Sequence, residues 1–325
     1  MAELPLVFSI EQARQSGLTD AAVHYAVARG RLVRVRKGMY CAAEVWDGSA
    51  GSPVTRHVLE ARAAWLSIGR RGWASHYTAA LLDELPVPYG QPRVVTLSQG
   101  ARSDGRRLYR PGLRLRTAIV DPIDIGSEWG MAVLRSARTS LDVARCYGFA
   151  AGLVLADAVL SRGRATEAEF FRIAAAMAGW NSSAARLVAR HASGRRESPI
   201  ESVSFAVFVH RGLPLPECNV WLDGQGRGGV RADYVWMAHR LVGEADGRVK
   251  YTDPFGEPTR TLVDEKARQL RIEERGFVVV RWTGAEIHND PDRVIDRIVR
   301  QSRIASAMYG VPSLLPGVTS PHRAA

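Results

Sequence analysis

Apolar spacing changes character at Gly30. Before it, Phe8-Ser9-Ile10 leads into a short helical segment from Glu11 to Ser16 closed by Gly17, and Thr19 stands where a cap would start a second helix, from about Asp20 to Arg29. After it, helical spacing gives way to alternation, and Leu32 to Tyr40 predicts a β-hairpin turning at Lys37-Gly38. Helix, turn, helix and hairpin in that order predict a winged helix-turn-helix.

A Gly/Ser/Pro stretch from Gly48 to Pro53 reads as a linker. Helical periods follow at Arg56 to Ile68 and across Ser75 to Leu82, then strand patterns at Arg93 to Leu97 and Leu113 to Val120 flank a basic loop, Arg102 to Arg110. Four helical segments come next, Ala137 to Tyr147, Gly152 to Ser161, Glu167 to Ala178 and Ser182 to Ala192. Beyond them the order becomes a helix from Ser198 and Pro199 to His210, a strand at Glu217 to Leu222, a glycine-rich turn and a strand at Val230 to Trp236. A third strand at Arg240 to Asp246, a basic helix at Arg260 to Arg275, a buried strand at Gly276 to Trp282 and an amphipathic helix at Asp292 to Ser306 complete it. The fold class expected is α+β multidomain: a winged helix-turn-helix over 1–50, an α+β middle domain over 51–194, a C-terminal α/β sandwich with a mixed sheet over 195–310, and a flexible tail over 311–325.

Charge changes the picture. The chain carries 44 Lys plus Arg against 33 Asp plus Glu, a net +11 over 325 residues, and 46% of its residues are hydrophobic. That apolar share excludes disorder of the whole chain, and the excess favours a polyanionic partner such as nucleic acid while leaving an anionic membrane surface open. Five basic residues lie between Arg29 and Lys37 with no acidic one: Arg29, Arg31, Arg34, Arg36 and Lys37. Together with Thr19 and Tyr25, and with Ala22 and His24 beside them, they are the residues expected to meet DNA, phosphate contacts on the wing and side chains of the second helix in a groove. Asp20 is an unfavourable neighbour there.

Cys41, Cys146 and Cys218 are far apart, without a CxxC or a histidine-rich neighbourhood, which argues against disulfides and structural zinc. No signal peptide is visible, and the best apolar stretch, Phe149 to Leu160, is too short for a membrane span and contains Asp157. A cytoplasmic location is expected, with DNA and not a membrane as partner. His57 and His76 have no nucleophile or metal-ligand neighbour at useful spacing in the sequence, and are expected to be structural.

The wing unit, the SHYTAALL helix (Ser75 to Leu82), the strand pair and SARTSLDVAR (Ser136 to Arg145) together resemble the N-terminal part of type IV abortive-infection antitoxin regulators. That resemblance implies a DNA-binding repressor, with a cognate toxin gene or promoter as its partner, and no chemistry of its own.

The last 130 residues or so carry a second signal. Asp233 and Glu244 lie eleven residues apart on runs joined by a short turn at Met237 to His239, so an antiparallel hairpin brings them onto neighbouring strands. Two anions there repel unless a cation lies between them. Such a pair suits Mg²⁺ or Mn²⁺ and phosphodiester hydrolysis, with Asp246 as a third ligand and Lys250 placed to meet developing charge. The region from Glu197 to Ile304 resembles the PD-(D/E)XK nuclease superfamily, in the branch similar to very-short-patch-repair endonucleases. The resemblance implies Glu201 as the helix glutamate, Asp233 as the acid of the second core strand and Glu244 as the acid of the third, within Glu244-Ala245-Asp246-Gly247. With the strand geometry, the catalytic set expected is Glu201, Asp233, Glu244, Asp246 and Lys250, with the metal on Asp233, Glu244 and Asp246. The usual lysine two residues after the third-strand acid is Asp246 here; Lys250 is the first candidate to replace it and Lys266 the second. Two functions therefore stand open: a metal-dependent endonuclease, and a non-catalytic DNA-binding repressor or antitoxin.

Overall fold

The computed structural model describes residues 4–87, 94–100, 111–222, 229–246 and 258–315, with side chains from 266 onward in the last segment. The chain divides into two compact units, Met1–Val159 with Arg164–His191, and Leu160–Gly163 with Ala192–Ala325.

In the first unit, β1 (Val7–Ser9) runs into α1 (Ile10–Gln15), where Ser9 and Gln12 cap each other reciprocally. Thr19 Oγ1 accepts from the Ala22 N–H to open α2 (Asp20–Ala28). Strands β2 (Leu32–Arg36) and β3 (Met39–Ala42) then form, with β1, an antiparallel sheet in the order β1-β3-β2. Gly38 takes a φ of +74°, which the tight reversal between Arg36 and Met39 requires. This is the order of the expected helix-turn-helix and wing.

The stretch read as a linker is a packed corner. Residues Ala43–Gly48 form α3, Ser49 is buried, and Ser52 caps α4 (Pro53–Ser67) with Pro53 in its first turn. Arg56 closes the corner: its guanidinium lies 3.9 Å from the Trp46 ring centroid and donates to Ser49 Oγ and to the Trp46 carbonyl. Glycine and serine here serve a cap and a turn, not flexibility.

Helix α4 is apolar on two stripes. Leu59, Ala63 and Leu66 pack against Val7, Met39 and Cys41 of the small sheet, whose other face holds Phe8, Ala13, Val23 and Tyr40 against α1 and α2. Val58, Ala61, Ala64 and Ile68 pack instead with Ala74, Ala79, Leu97 and Val133 of the middle region. There β4 (Trp73–Ala74), α5 (His76–Leu82), β5 (Val95–Gln99), β6 (Leu113–Thr117), β7 (Ile125–Glu128) and β8 (Met131–Leu134) contribute a mixed sheet in the order β6-β5-β4-β8-β7. Helices α6 (Ser136–Tyr147), α7 (Phe149–Ser161), α8 (Glu167–Ala176) and α9 (Ser182–His191) follow. The loop from 102 to 110 lies outside the described residues.

The second unit runs α10 (Pro199–His210), β9 (Glu217–Trp221), β10 (Arg231–Trp236), β11 (Leu241–Asp246), α11 (Pro258–Glu274), β12 (Val278–Thr283), α12 (Gly284–Asn289) and α13 (Pro291–Tyr309). Its sheet is ordered β12-β11-β10-β9, antiparallel except for the parallel pair β11 and β12. One side of the sheet carries an aromatic cluster: Tyr234 stacks on Trp282 with centroids 5.6 Å apart, and Phe208 of α10 meets Tyr234 edge-on at 5.3 Å. The polar ends of these rings are satisfied, Trp282 Nε1 by Ser204 Oγ at 2.8 Å and Trp236 Nε1 by the Pro214 carbonyl at 2.6 Å. Val235, Val242, Ile272 and Phe277 form a second cluster with α11. Within the expected tail, Leu314 is buried and its N–H donates to Ser302 Oγ at 3.0 Å. The rest of the expected tail, 316–325, lies outside the described residues.

Gly243 is where β11 passes beneath the aromatic cluster. A Cβ there would stand 2.7 Å from Trp282 Cη2 and 3.1 Å from Trp236 Cζ3. Both indoles are buried and hydrogen-bonded, so neither yields cheaply. Gly243→Ala is expected to cost about 1–3 kcal/mol, measured as a lower urea midpoint at unchanged slope.

Candidate nucleic-acid interface and carboxylate cluster

Helix α2 presents Ala21, Ala22, His24 and Tyr25 to solvent while Val23 is buried. Thr19 is exposed, its hydroxyl oxygen engaged in the cap. The unfavourable charge of Asp20 is matched by Arg14, which donates through Nε at 2.7 Å and through its terminal nitrogen at 2.6 Å. Arg29 donates to the Tyr25 hydroxyl at 3.1 Å and lies 5.3 Å from that ring's centroid, so the most exposed aromatic of α2 is braced by a cation. Arg31, Arg34 and Lys37 are exposed. Arg36 differs. The ladder between β2 and β3 shifts register between Arg34 and Arg36, and Arg36 is half-buried with its guanidinium donating to the Pro111 carbonyl at 2.8 Å. Of the seven residues expected to meet DNA, six are exposed around one helix and its wing, and Arg36 anchors the wing to the segment before β6.

The carboxylates of the second unit gather around β10 and β11. The register between β10 and β11 ends with Tyr234 opposite Gly243, and Asp233 and Glu244 stand one residue beyond that pair on the two neighbouring strands. The turn between these strands is the expected one, Met237–His239. Asp233 Oδ2 accepts from the Ala245 N–H at 2.9 Å. Burial pushes its carboxyl up to about 6; the Ala245 N–H opposes that shift and the charges of Glu201 and Glu244 add to it. Glu244 is 6% exposed and held by two guanidinium groups, Arg281 of β12 at 3.0 Å from Oε2 and Arg268 of α11 at 2.9 Å from Oε1. Arg281 is its register partner on β12.

Glu201 stands in the first turn of α10, as expected, but its carboxylate turns back on the helix start. It accepts from Ser198 Oγ at 2.6 Å, from the Glu197 N–H at 3.0 Å and from Asn219 Nδ2 at 2.6 Å. Asn219 was not among the candidates. It takes a left-handed φ of +54° inside β9, between Cys218 and Val220, which pair with Tyr234 and Ala232. The tolerance of asparagine for that conformation is the sole signal that could have singled it out. Asp246 ends β11, half-buried opposite Thr283; Lys250 and Gly247 lie outside the described residues, and Lys266 is exposed on α11.

Residues 6–43 match an antitoxin family. Its description is transcriptional regulator, AbiEi antitoxin, and the match spans β1 to the end of the wing. Two uncharacterised proteins of Mycobacterium tuberculosis, from strains CDC 1551 / Oshkosh and H37Rv, are each 28% identical to this chain over 286 residues, 87% of it and 97% of their own length. The SHYTAALL helix and SARTSLDVAR, expected to share the antitoxin resemblance, lie beyond the antitoxin-matching segment.

Outside that segment, two features bear on chemistry. The first is the donor set for a divalent ion. Among the described residues, no three His, Cys, Asp or Glu side chains come together as a metal-ligating group. Both Glu244 oxygens face guanidinium groups, and both Glu201 oxygens accept hydrogen bonds from its cap or Asn219. Arginine thus balances the charge of Glu244, but Oε1, although 2.9 Å from Arg268, is buried without a hydrogen bond, so its acceptor capacity is not filled. The second is His76. His57 is structural, bound to Thr78 Oγ1 at 2.9 Å and pushed down to about 4 by burial. His76 Nε2, however, lies 3.1 Å from Cys146 Sγ, a partner seventy residues away that spacing could not reveal.

No helix of the described residues is long and apolar enough to cross a membrane. All three cysteines are free.

Asp233 yields a pH prediction. A carboxyl whose folded pKa is raised is destabilising once the unfolded chain ionises: the effect is absent below the unfolded value near 3.8, grows as pH rises toward 6, and is complete above it. Asp233→Asn keeps an acceptor for the Ala245 N–H. It is expected to raise stability at pH 7 by about 1–2 kcal/mol and by almost nothing at pH 4, read from denaturant melts at both values.

Proposed function

We propose that the protein is a sequence-specific DNA-binding transcriptional regulator of the antitoxin type, acting on a promoter that includes its own. The observation that carries this reading is the family match of residues 6–43 on a unit whose exposed face is basic. In it, α2 enters the major groove with His24 and Tyr25 toward base edges, and Arg29, Arg31, Arg34 and Lys37 meet phosphates on either side. Arg36 sets the wing's position from behind. A cognate toxin gene is the partner this reading implies.

For the second unit we propose a nuclease-like module without cleavage in the arrangement described. The order helix, three antiparallel strands, helix and parallel strand supports the likeness, and the Arg268 and Arg281 pairs on Glu244 support the loss of chemistry. A second reading, metal-dependent DNA hydrolysis, is favoured by the placement of Asp233 and Glu244 on neighbouring strands and by the buried Glu244 Oε1 without a hydrogen bond, and needs Glu244 to exchange its guanidinium partners.

One experiment separates them. Binding to DNA from upstream of the protein's own gene is titrated over a range of salt, and plasmid is incubated with the protein and Mg²⁺ or Mn²⁺. The regulator reading expects Arg34→Ala to weaken binding roughly three- to tenfold and to lower the salt slope by about 0.9, Asp233→Ala to leave binding unchanged, and no nicking. Absence of promoter binding at low salt sinks it. Nicking by wild type that Asp233→Ala and Glu244→Ala both abolish establishes the hydrolase.

A further inference from the structure

The middle region holds a cleft of about 1680 Å³ between β6 and helices α6 and α8, with Trp180 at its edge. Five arginines line it, Arg114, Arg116, Arg138, Arg145 and Arg172, against three carboxylates. The carboxylates are spoken for: Asp142 pairs with Arg138 at 3.1 Å, Asp124 pairs with Arg172, and Asp121 accepts from the Ile123 N–H at 3.1 Å. That leaves Arg114, Arg116 and Arg145 with no carboxylate partner among the described residues. Arg114 and Arg116 alternate with Leu113 and Leu115 on β6, so both point away from the core and onto one face. Arg116 Nε is buried and makes no hydrogen bond within the described residues. A buried guanidinium nitrogen without an acceptor costs free energy that an anionic oxygen would recover.

The lining also has an apolar part. Ile173 and Met177 are buried, and Trp180 is 67% exposed. Arg145 lies beside Trp180: it donates from Nε at 3.0 Å and from a terminal nitrogen at 2.8 Å to the Trp180 carbonyl, which holds that residue's backbone next to the cationic lining. His76, buried in the floor with Ser75 Oγ at 3.0 Å from Nδ1, adds a neutral imidazole next to the arginines. An inorganic anion would fill a small part of this volume and leave the apolar part unused.

We propose that the cleft is a nucleotide-binding site, with phosphate oxygens on Arg114, Arg116 and Arg145 and the base against Trp180 and Met177. A planar base on an exposed indole next to a fixed guanidinium matches the stacking that aromatic side chains give nucleobases, and arginine forks match phosphate oxygens.

The test is calorimetric titration of the full chain with ATP and GTP, with pyrophosphate, adenosine and a short single-stranded oligonucleotide as separate arms. One nucleotide is expected to bind per chain. Pyrophosphate and adenosine are each expected to bind at least about tenfold more weakly, and Arg114→Gln and Trp180→Ala each to weaken the nucleotide by about tenfold. Both side chains reach the surface, and unchanged melting temperatures of the two variants keep the comparison free of unfolding. No binding of either nucleotide at millimolar concentration overturns the proposal, as does affinity indifferent to both substitutions. An oligonucleotide that binds more tightly than the nucleotides and loses affinity with Arg114→Gln makes the cleft a nucleic-acid contact instead, and also overturns it.

Discussion

Helix α4 is the constraint on which the first unit depends. Its residues 59, 63 and 66 pack on the small sheet of the wing, and its residues 58, 61 and 64, with Ile68 just past its end, belong to the core of the middle region. Offsets of three and four residues place each set on its own stripe, and the two stripes lie side by side around one cylinder. A helix apolar on two sides is stable only between two layers. The wing therefore has no closed core without α4, and α4 has half of its apolar surface uncovered without the middle sheet. The surface proposed to meet DNA and the arginine-lined cleft are consequently parts of one unit. Pro111 and Gly112 make the point locally: the Pro111 carbonyl holds Arg36 of the wing, and Gly112 lines the cleft.

In the second unit the governing interaction is electrostatic. The fold places Asp233 and Glu244 on neighbouring strands, just beyond the last paired residues, a placement set by the short turn at Met237–His239. Charges so placed must be compensated, and three remedies are open: a metal, a proton or a cation from the protein. Glu244 takes the third through Arg268 and Arg281. Asp233, raised to about 6, moves toward the second. Glu201, bound by its cap and by Asn219, is withdrawn from the contest. The three carboxylates that suggest a nuclease are thus met by two arginines, a raised pKa, a cap and an asparagine, while Glu244 Oε1 stays buried without a hydrogen bond.

Much of this was legible in the residues. The cap at Thr19, the stop at Gly30 and the turn at Lys37-Gly38 are local signals, and each stands where local chemistry puts it. The order of elements in the second unit and the placement of Asp233 and Glu244 on neighbouring strands follow from period and loop length. What escaped is non-local. Nothing near Glu244 announces Arg281, which reaches it through a parallel strand pair thirty-seven residues on, and nothing near His76 announces Cys146. The corner at Gly48 to Pro53 was misread because glycine and serine mark a cap as readily as a linker; the residue that decides, Arg56, lies just beyond the stretch.

These particulars change the meaning of the net charge of +11. The chain has three lysines, Lys37, Lys250 and Lys266, so almost every cation is an arginine. A guanidinium is planar and carries five donors, which suits it to hold two acceptors at once inside a fold. Arg56, Arg138, Arg268 and Arg281 are used in that way, as internal struts to carbonyls, rings and carboxylates. Charge invested in such contacts is not offered to a polyanion. What remains facing solvent or a cleft is a smaller, patterned set: Arg29, Arg31, Arg34 and Lys37 around α2, and Arg114 and Arg116 on β6. A formal excess spread over the whole chain would attract any anion and select none; an excess confined to a helix with its wing, and to one walled cleft, gives each anion a geometry to satisfy.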